Sequence, residues 1–91
     1  MYEIVFTSRA SREFKQLTPA TQERLAIAID RLSDNPRQSG IIKLKGQGQI
    51  YRIRIGDWRV IYKIVDKDSL VFVGKVVRRS EDTYRDLDEI F

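Results

Sequence analysis

The stretch "YRIRIGDWRVIYKIV", residues 51–65, decides the fold, because apolar side chains recur at every second position on both sides of a Gly-Asp pair. A period of two predicts a β-strand that buries one of its faces. A two-residue turn with glycine in first place favours a type II′ β-hairpin, whose geometry suits the twist of two antiparallel strands. The stretch therefore predicts a tight hairpin with one apolar face and one charged face.

Pairing across the Gly-Asp turn fixes which side chains share a face. The apolar face carries Tyr51, Ile53, Ile55, Trp58, Val60 and Tyr62. The other face places Arg54 directly opposite Arg59, with Arg52, Ile61 and Lys63 beside them. Like charges opposite each other destabilise a sheet by up to about 1 kcal/mol, whereas a phosphate between them would accept charge-assisted hydrogen bonds. We interpret this face as a site for a polyanion; the alternative is an ordinary solvated strand face.

A third strand, "LVFVGKVV", follows across the turn "DKDS". A turn centred on residues 67–68 predicts Ile61 opposite Gly74 and Arg59 opposite Val76, with Arg78 on the charged face just beyond. The same register turns Lys75 towards the apolar face, which indicates an edge position or a bulge.

The remaining segments complete an α+β pattern. "YEIVFT" predicts a first strand, apolar residues at helical spacing predict helices over 8–17 and 19–34, and residues 41–44 form a short extended piece within a glycine-containing loop. "SEDTYRDLDEIF" predicts a short C-terminal helix. We predict one domain over residues 1–91, with the order β-α-α-β-β-β-α: a small antiparallel sheet, an N-terminal helical hairpin packed on one face and the C-terminal helix.

The amino-acid composition limits which reactive groups the protein can use. The 91 residues include no cysteine and no histidine, which excludes disulfides, zinc-thiolate sites and the commonest general base. No apolar run approaches the roughly 18 residues of a membrane span, and the N-terminus shows no signal peptide. We expect a cytoplasmic protein without a membrane association.

Positive charge is concentrated in the middle of the chain. Residues 37–79 hold eleven basic and three acidic residues, a net of +8, whereas residues 80–91 have a net of −4 and residues 1–36 sum to zero. A concentrated basic field is typical of proteins with a polyanionic partner.

Two segments, "KLKGQGQIYRIRIGDWRVIYKIVD" and "VFVGKVVRRSEDTY", resemble the RelE-type toxins of the RelE/ParE toxin–antitoxin superfamily. The shared pattern is a "Y-[KR]-[IV]-[KR]" strand, a turn, "[YW]-R-[VL]-[IV]-Y", and an arginine at the end of the last strand followed six residues later by a tyrosine. Here these last two are Arg78 and Tyr84. The resemblance runs nearly end to end in length and element order.

The resemblance implies a toxin that acts as a metal-independent and cofactor-independent endoribonuclease and cuts mRNA in the ribosomal A site. It implies that Arg52 and Arg54 contact the phosphate or assist proton removal, and that Arg59 and Arg78 stabilise the transition state, with one of these two as the leaving-group acid. It also implies that Tyr84 stacks on or orients a base. It further implies a cognate antitoxin as partner.

We interpret three other cations as contacts to the RNA backbone: Lys43, Lys45 and Arg79. The alternative is that they serve only as solubilising charge. Tyr84 has an alternative role as well, since it shares a helical stripe with Leu87 and Phe91 and can simply pack the last helix.

One departure from the family pattern affects the mechanism. Well-studied relatives have lysine where this chain has Arg52 and Arg54, or they use histidine or glutamate as the base. Arginine has a pKa above about 12 and is a poor general base. Either Tyr84 or solvent takes the proton, or catalysis depends mainly on electrostatics and positioning.

Two other functions fit the same residues. One is a ParE-like inhibitor of DNA gyrase without nuclease activity, and the other is a non-catalytic RNA-binding module. ParE-like relatives generally lack the set of Arg59, Arg78 and Tyr84, which favours the nuclease.

Overall fold

The computed structural model of the protein describes residues 1–38, 40–44 and 48–78. These ranges contain two helices, five strands and one 3₁₀ turn, in the order β1 Glu3–Phe6, α1 Ser8–Lys15, α2 Pro19–Asp34, β2 Ile42–Lys43, β3 Ile50–Ile55, β4 Trp58–Val65, the turn Asp66–Asp68 and β5 Leu70–Arg78. The predicted C-terminal helix lies outside the described residues. Neither of the two described helices is long and apolar enough to cross a membrane.

Both helices begin where the sequence predicts. The side chain of Thr7 accepts a hydrogen bond from the backbone of Ala10, and Thr18 does the same for Thr21. Each threonine thus satisfies a backbone N–H that has no partner within its helix. Pro19 occupies the first turn of α2, where its missing N–H costs nothing.

The α+β fold class is confirmed, with one difference in strand direction. The sheet has the order β1-β5-β4-β3-β2, in which β3, β4 and β5 form the predicted antiparallel meander. Strand β1, however, runs parallel to β5, so the sheet is mixed rather than antiparallel. Short turns fix the direction of hairpin strands. Two helices separate β1 from the next strand in the chain, and the alternation of apolar and polar residues does not encode the direction of a strand.

The hairpin register is confirmed at every position from Tyr51 opposite Tyr62 to Ile55 opposite Trp58. Gly56 has φ +61°, a conformation that the first position of a type II′ turn requires and that residues with a Cβ rarely adopt.

A β-bulge changes the register between β4 and β5. Lys63 pairs with Phe72 as predicted, but the pairing shifts by one residue between Ile61 and Tyr62. The predicted partner of Ile61 is therefore wrong: Ile61 lies opposite Lys75, and Arg59 lies opposite Val77. The sequence indicates a bulge as one explanation for the position of Lys75. Because of this bulge, every β5 side chain beyond it lies on the opposite face of the sheet from the one predicted.

The main core lies between the helices and the apolar face of the sheet. Its buried members come from α1, α2, β3, β4 and β5, and include Ala10, Leu25, Ile29, Leu32, Tyr62, Val71 and Val73. The hydroxyl of Tyr62 donates a 2.7 Å hydrogen bond to the carbonyl of Pro36. Burial raises the pKa of Tyr62, which keeps this hydroxyl protonated as a donor.

A polar cluster ties the segment after α2 to the end of the sheet that is remote from the hairpin turn. The two terminal nitrogens of Arg37 donate to the carboxylate of Asp66 at 2.9 and 2.7 Å, and its Nε donates to the hydroxyl of Tyr51 at 3.1 Å. The hydroxyl of Tyr2 also donates to Asp66, at 2.7 Å. Hydrogen bonds from Arg37, and then from Tyr2, lower the pKa of Asp66 to about 2.

Candidate phosphate-binding site

Four cations converge on the face of the sheet opposite the helices. Arg59 lies directly opposite Arg54, and it is a diagonal neighbour of Arg52 on β3 and of Lys75 on β5. Diagonal neighbours in a sheet have Cα atoms about 7–8 Å apart, within reach of long side chains. We call this group the cation cluster: Arg52, Arg54, Arg59 and Lys75.

The face is less open than the sequence predicts. Arg54 is exposed and Arg52 is half-buried, but Arg59 is only 4% exposed and Lys75 only 3%. On the same face, Ile61 is fully buried and packs with Ile50 and Leu44 in a small second core. This face is therefore not simply a solvated surface.

The buried cations of the cluster have partners within the protein. The Nη1 atom of Arg59 donates to the carbonyl of Trp58 at 3.3 Å, and Arg52, Arg59 and Lys75 each make at least one further interaction. The cluster is therefore not a set of unpaired cations that only repel one another. Arg54 is the exposed member of the cluster, so its guanidinium is the most accessible from solvent.

Arg78 lies on the other face, where the sequence did not place it. The bulge pairs Arg78 with Trp58, so its side chain lies on the same side of the sheet as the main core. Its guanidinium carbon is 5.3 Å from the centre of the Trp58 ring, in cation–π range. Arg78 is exposed at the end of β5, so it stands at the rim of the sheet rather than beside Arg54.

Of the three cations predicted to contact RNA backbone, only Lys43 falls within the described residues. It is exposed on the edge strand β2 and pairs with Tyr51, so it lies on the helix side of the sheet. Lys45 and Arg79 lie outside the described residues, and so does Tyr84.

Lys75 is the member of the cluster that sequence reasoning missed. An unshifted register turns it towards the core, and only the bulge brings it beside Arg59. The preceding Gly74 was the available signal, because a glycine within a strand often marks a bulge.

This arrangement is suited to binding a phosphate and to stabilising negative charge. Guanidinium groups held in place by a sheet are preorganised donors, and such donors stabilise charge that develops in a transition state. Within the described ranges, no three His, Cys, Asp or Glu side chains are placed to hold a metal ion together.

Comparison with known proteins places this chain in a family. The model of the ParE toxin of type II toxin–antitoxin systems matches residues 4–83. A putative toxin RelE1 of Methanocaldococcus jannaschii is 30% identical over 87 residues, which cover 92% of this chain and 96% of that protein. The mRNA interferase toxin RelE of Escherichia coli K12 is 29% identical over 80 residues, which cover 86% of this chain and 83% of that protein.

The fold is shared as well. In the crystal structure of the intact E. coli RelBE toxin–antitoxin complex, one chain superposes with a TM-score of 0.80 at 26% identity, covering 89% of this chain and all of that one. The family model spans most of the chain, and both named relatives are RelE proteins. The chain therefore belongs to the ParE toxin family of type II toxin–antitoxin systems and is a RelE-type toxin.

Proposed function

We propose that this protein is a ribosome-dependent endoribonuclease that cleaves mRNA in the A site without a metal ion. The observation that carries the proposal is the central position of Arg59, with Arg54 opposite it and Arg52 and Lys75 diagonal to it. A relative of 29% identity that is named an mRNA interferase supports the same activity.

The cluster suits the chemistry of RNA cleavage. The 2′-hydroxyl of one nucleotide attacks the adjacent phosphorus, and the bond from phosphorus to the 5′-oxygen breaks. The products are a 2′,3′-cyclic phosphate and a 5′-hydroxyl, and no water enters the bond. Negative charge builds up on the phosphorane, where one preorganised donor contributes about 2.7–4 kcal/mol. Holding the RNA in line for attack supplies much of the rest.

The residues divide into three roles in this proposal. Arg54 and Arg52 hold the scissile phosphate, and Arg59 stabilises the charge that develops on it. Arg78 and Tyr84 enter through the family resemblance: Arg78 assists the leaving group from the rim of the sheet, and Tyr84 orients a base. The RNA backbone on either side is contacted by Lys43, Lys45 and Arg79.

A cognate antitoxin is part of the same proposal. The E. coli chain that superposes on this one was crystallised in a toxin–antitoxin complex. We infer that this chain binds an antitoxin in the same cell and that the complex silences the toxin.

Inhibition of DNA gyrase is the second candidate, because the family model that matches the chain is that of the ParE toxin. The two activities have different effects on mRNA and DNA. A nuclease breaks mRNA and leaves DNA supercoiling unchanged, whereas a gyrase inhibitor reduces DNA supercoiling and leaves mRNA intact.

Primer extension on mRNA from a translating extract tests the proposal. We expect breaks within the A-site codon after addition of the protein, and we expect Arg59→Ala to remove them. A Lys67→Ala variant is the matched control, since Lys67 is exposed in the turn between β4 and β5, outside the cation cluster. Intact mRNA together with loss of supercoiling by purified gyrase would refute the nuclease.

A further inference from the structure

The tip of the β3–β4 hairpin carries the chain's single tryptophan next to two arginines. Trp58 is the first residue of β4 and is half-buried at the margin of the main core. Arg78 lies opposite it on β5, with its guanidinium carbon 5.3 Å from the centre of the indole ring. Together with Arg24 of α2, described next, we call these residues the tip platform.

Arg24 reaches the tip from the helix layer. Its guanidinium lies so close to Gly56 that a Cβ added to this glycine would be 2.6 Å from the Nη2 atom of Arg24. The absence of a side chain at Gly56 therefore leaves room for Arg24, in addition to permitting the φ of +61°. Because α2 and the Trp58 ring both pack on the main core, Arg24 and Trp58 lie on the same side of the sheet.

The two arginines of the platform lack anionic partners. Both are exposed, and neither forms a hydrogen bond or an ion pair within the described residues. Arg54 is likewise exposed on the other face of the same hairpin, two residues before Gly56. The turn itself supplies one carboxylate, that of Asp57, which does not balance three guanidinium groups. The hairpin tip is therefore positively charged.

An aromatic ring beside unpaired arginines suits one ligand chemistry in particular, that of single-stranded RNA. Proteins that bind single strands stack bases on aromatic side chains and hold the backbone with cations. A base also stacks on the plane of a guanidinium group, and the cation–π contact keeps that of Arg78 beside the indole. The N–H donors of Arg24 and Arg78 suit the oxygens of a phosphate.

The platform and the cation cluster lie on opposite faces of the same end of the sheet. Trp58 and Arg59 are consecutive in β4, so their side chains point to opposite faces. The pair Arg54–Arg59 is the next pair along the ladder after Ile55–Trp58, which flanks the turn. An RNA strand that passes round the hairpin tip therefore contacts the cluster on one face and the platform on the other.

We propose that the tip platform binds an mRNA nucleotide that flanks the scissile phosphate, an inference that rests on the proposed action on mRNA. The base stacks on the surface formed by Trp58 and Arg78, and Arg24 holds the adjoining phosphate. Stacking tolerates any base, so the platform fixes the path of the strand without selecting its sequence. Holding the strand on both faces of the hairpin restrains the RNA for in-line attack.

The fluorescence of Trp58 reports directly on the platform, because the chain has no other tryptophan. A short 2′-O-methyl RNA oligonucleotide cannot be cleaved and should quench this fluorescence in a saturable manner. By anisotropy of a labelled oligonucleotide, Trp58→Leu should bind about 5- to 150-fold more weakly than the wild-type protein, and Trp58→Phe should recover most of that loss. Circular dichroism checks that each variant is folded.

Salt dependence tests the arginine of the helix layer. Arg24→Ala should reduce the slope of log affinity against log salt by about 0.7, the value for one contact to a single-strand phosphate. Arg31→Ala is the matched control, because Arg31 is exposed two turns further along the same face of α2 and away from the hairpin tip. Its slope should equal that of the wild-type protein; equal slopes for all three proteins would remove Arg24 from the site.

An abasic nucleotide in ribosome-bound mRNA tests which nucleotide occupies the platform. The base is removed from each nucleotide that flanks the scissile phosphate, one at a time. At one of these positions the wild-type protein should cleave more slowly, whereas Trp58→Leu should cleave abasic and intact mRNA at equal rates. If the missing base slows both proteins by the same factor, the platform does not contact that nucleotide and the proposal is wrong.

The outcomes separate this inference from the function on which it rests. If the wild-type protein cuts mRNA but the oligonucleotide neither quenches Trp58 nor binds more weakly to Trp58→Leu, the platform is not an RNA site and the nuclease proposal stands. If the oligonucleotide binds through Trp58 and the wild-type protein cuts no mRNA, the platform is an RNA-binding site and the nuclease proposal is wrong.

Discussion

Replacing Arg54 with threonine removes one of two guanidinium groups that face each other across the β3–β4 hairpin, and we expect the fold to gain stability. Arg54 lies directly opposite Arg59, and threonine is itself favoured in strands. The change should therefore remove repulsion without weakening the strand. Because Arg54 is proposed to hold the scissile phosphate, the same variant should cleave mRNA more slowly.

The magnitude follows from the geometry and the exposure. Directly opposed like charges on a sheet cost about 0.2–1 kcal/mol. Arg54 is exposed, so solvent and salt screen its charge, and we expect a gain of about 0.5 kcal/mol in the free energy of unfolding. In a domain of this size, about 1 kcal/mol shifts the melting temperature by about 4–8 °C. The variant should therefore melt about 2–4 °C higher than the wild-type protein.

Thermal unfolding at two salt concentrations tests this reasoning. The gain should be present at 0.1 M salt and should vanish near 1 M, where the screening length falls to about 3 Å. Lys63→Thr is the matched control, because Lys63 faces Ile50 rather than a cation and its removal should give no such gain. A variant that melts no higher than the wild-type protein at low salt, or a gain that salt does not reduce, would refute the idea that Arg54 and Arg59 repel each other across the hairpin.

Three further changes probe the fold that positions the cluster. Tyr62→Phe removes the hydrogen bond to Pro36 and leaves a buried carbonyl without that donor, so chemical denaturation should show a loss of about 1–3 kcal/mol; an unchanged midpoint would contradict this. Gly56→Ala places a Cβ at φ +61° and should cost about 1–2 kcal/mol, measured the same way. Arg37 lowers the pKa of Asp66 to about 2, so the stability from this ion pair is present above about pH 4 and is lost as the pH falls towards 2. The stability difference between wild-type protein and Asp66→Asn should shrink over that range; a constant difference would exclude the ion pair as its source.

The hairpin and its register could be predicted from the sequence because two independent signals agree. Alternation in β3 and β4 requires that Tyr51 and Tyr62 share the buried face, and a two-residue turn beginning with Gly56 gives the same pairing. A slip by one residue would turn the arginines towards the main core between the sheet and the helices, so the observed register is strongly favoured.

The bulge in β5 could not be predicted in the same way, because the side chain that stabilises it is distant in sequence. The carboxylate of Glu13 that satisfies the N–H of Val76 is 63 residues away, and no local pattern reveals such a contact. Two errors follow from it. Arg78 was predicted on the charged face just beyond Val76 and lies instead over Trp58 on the other face, and Lys75 was not recognised as a member of the cation cluster.

The burial of the charged face was missed for a related reason. Ile61 alternates with cations along β4 and was read as one apolar residue on an open surface. It is instead the centre of a second small core with Ile50 and Leu44. Leu44 comes from the loop after α2, and sequence pattern alone does not say which face of the sheet that loop covers.

The central claim is that the register of one hairpin creates a site for RNA cleavage with Arg59 at its centre. The most direct test is the single-turnover rate of cleavage of ribosome-bound mRNA by Arg59→Ala, alongside Arg59→Lys in case loss of the buried side chain disturbs folding. We predict that both variants bind ribosomes, and that the alanine variant cleaves about 10²–10³-fold more slowly than the wild-type protein, with the lysine variant in between. Cleavage by a folded alanine variant within about twofold of the wild-type rate would remove Arg59 from the site and contradict the claim.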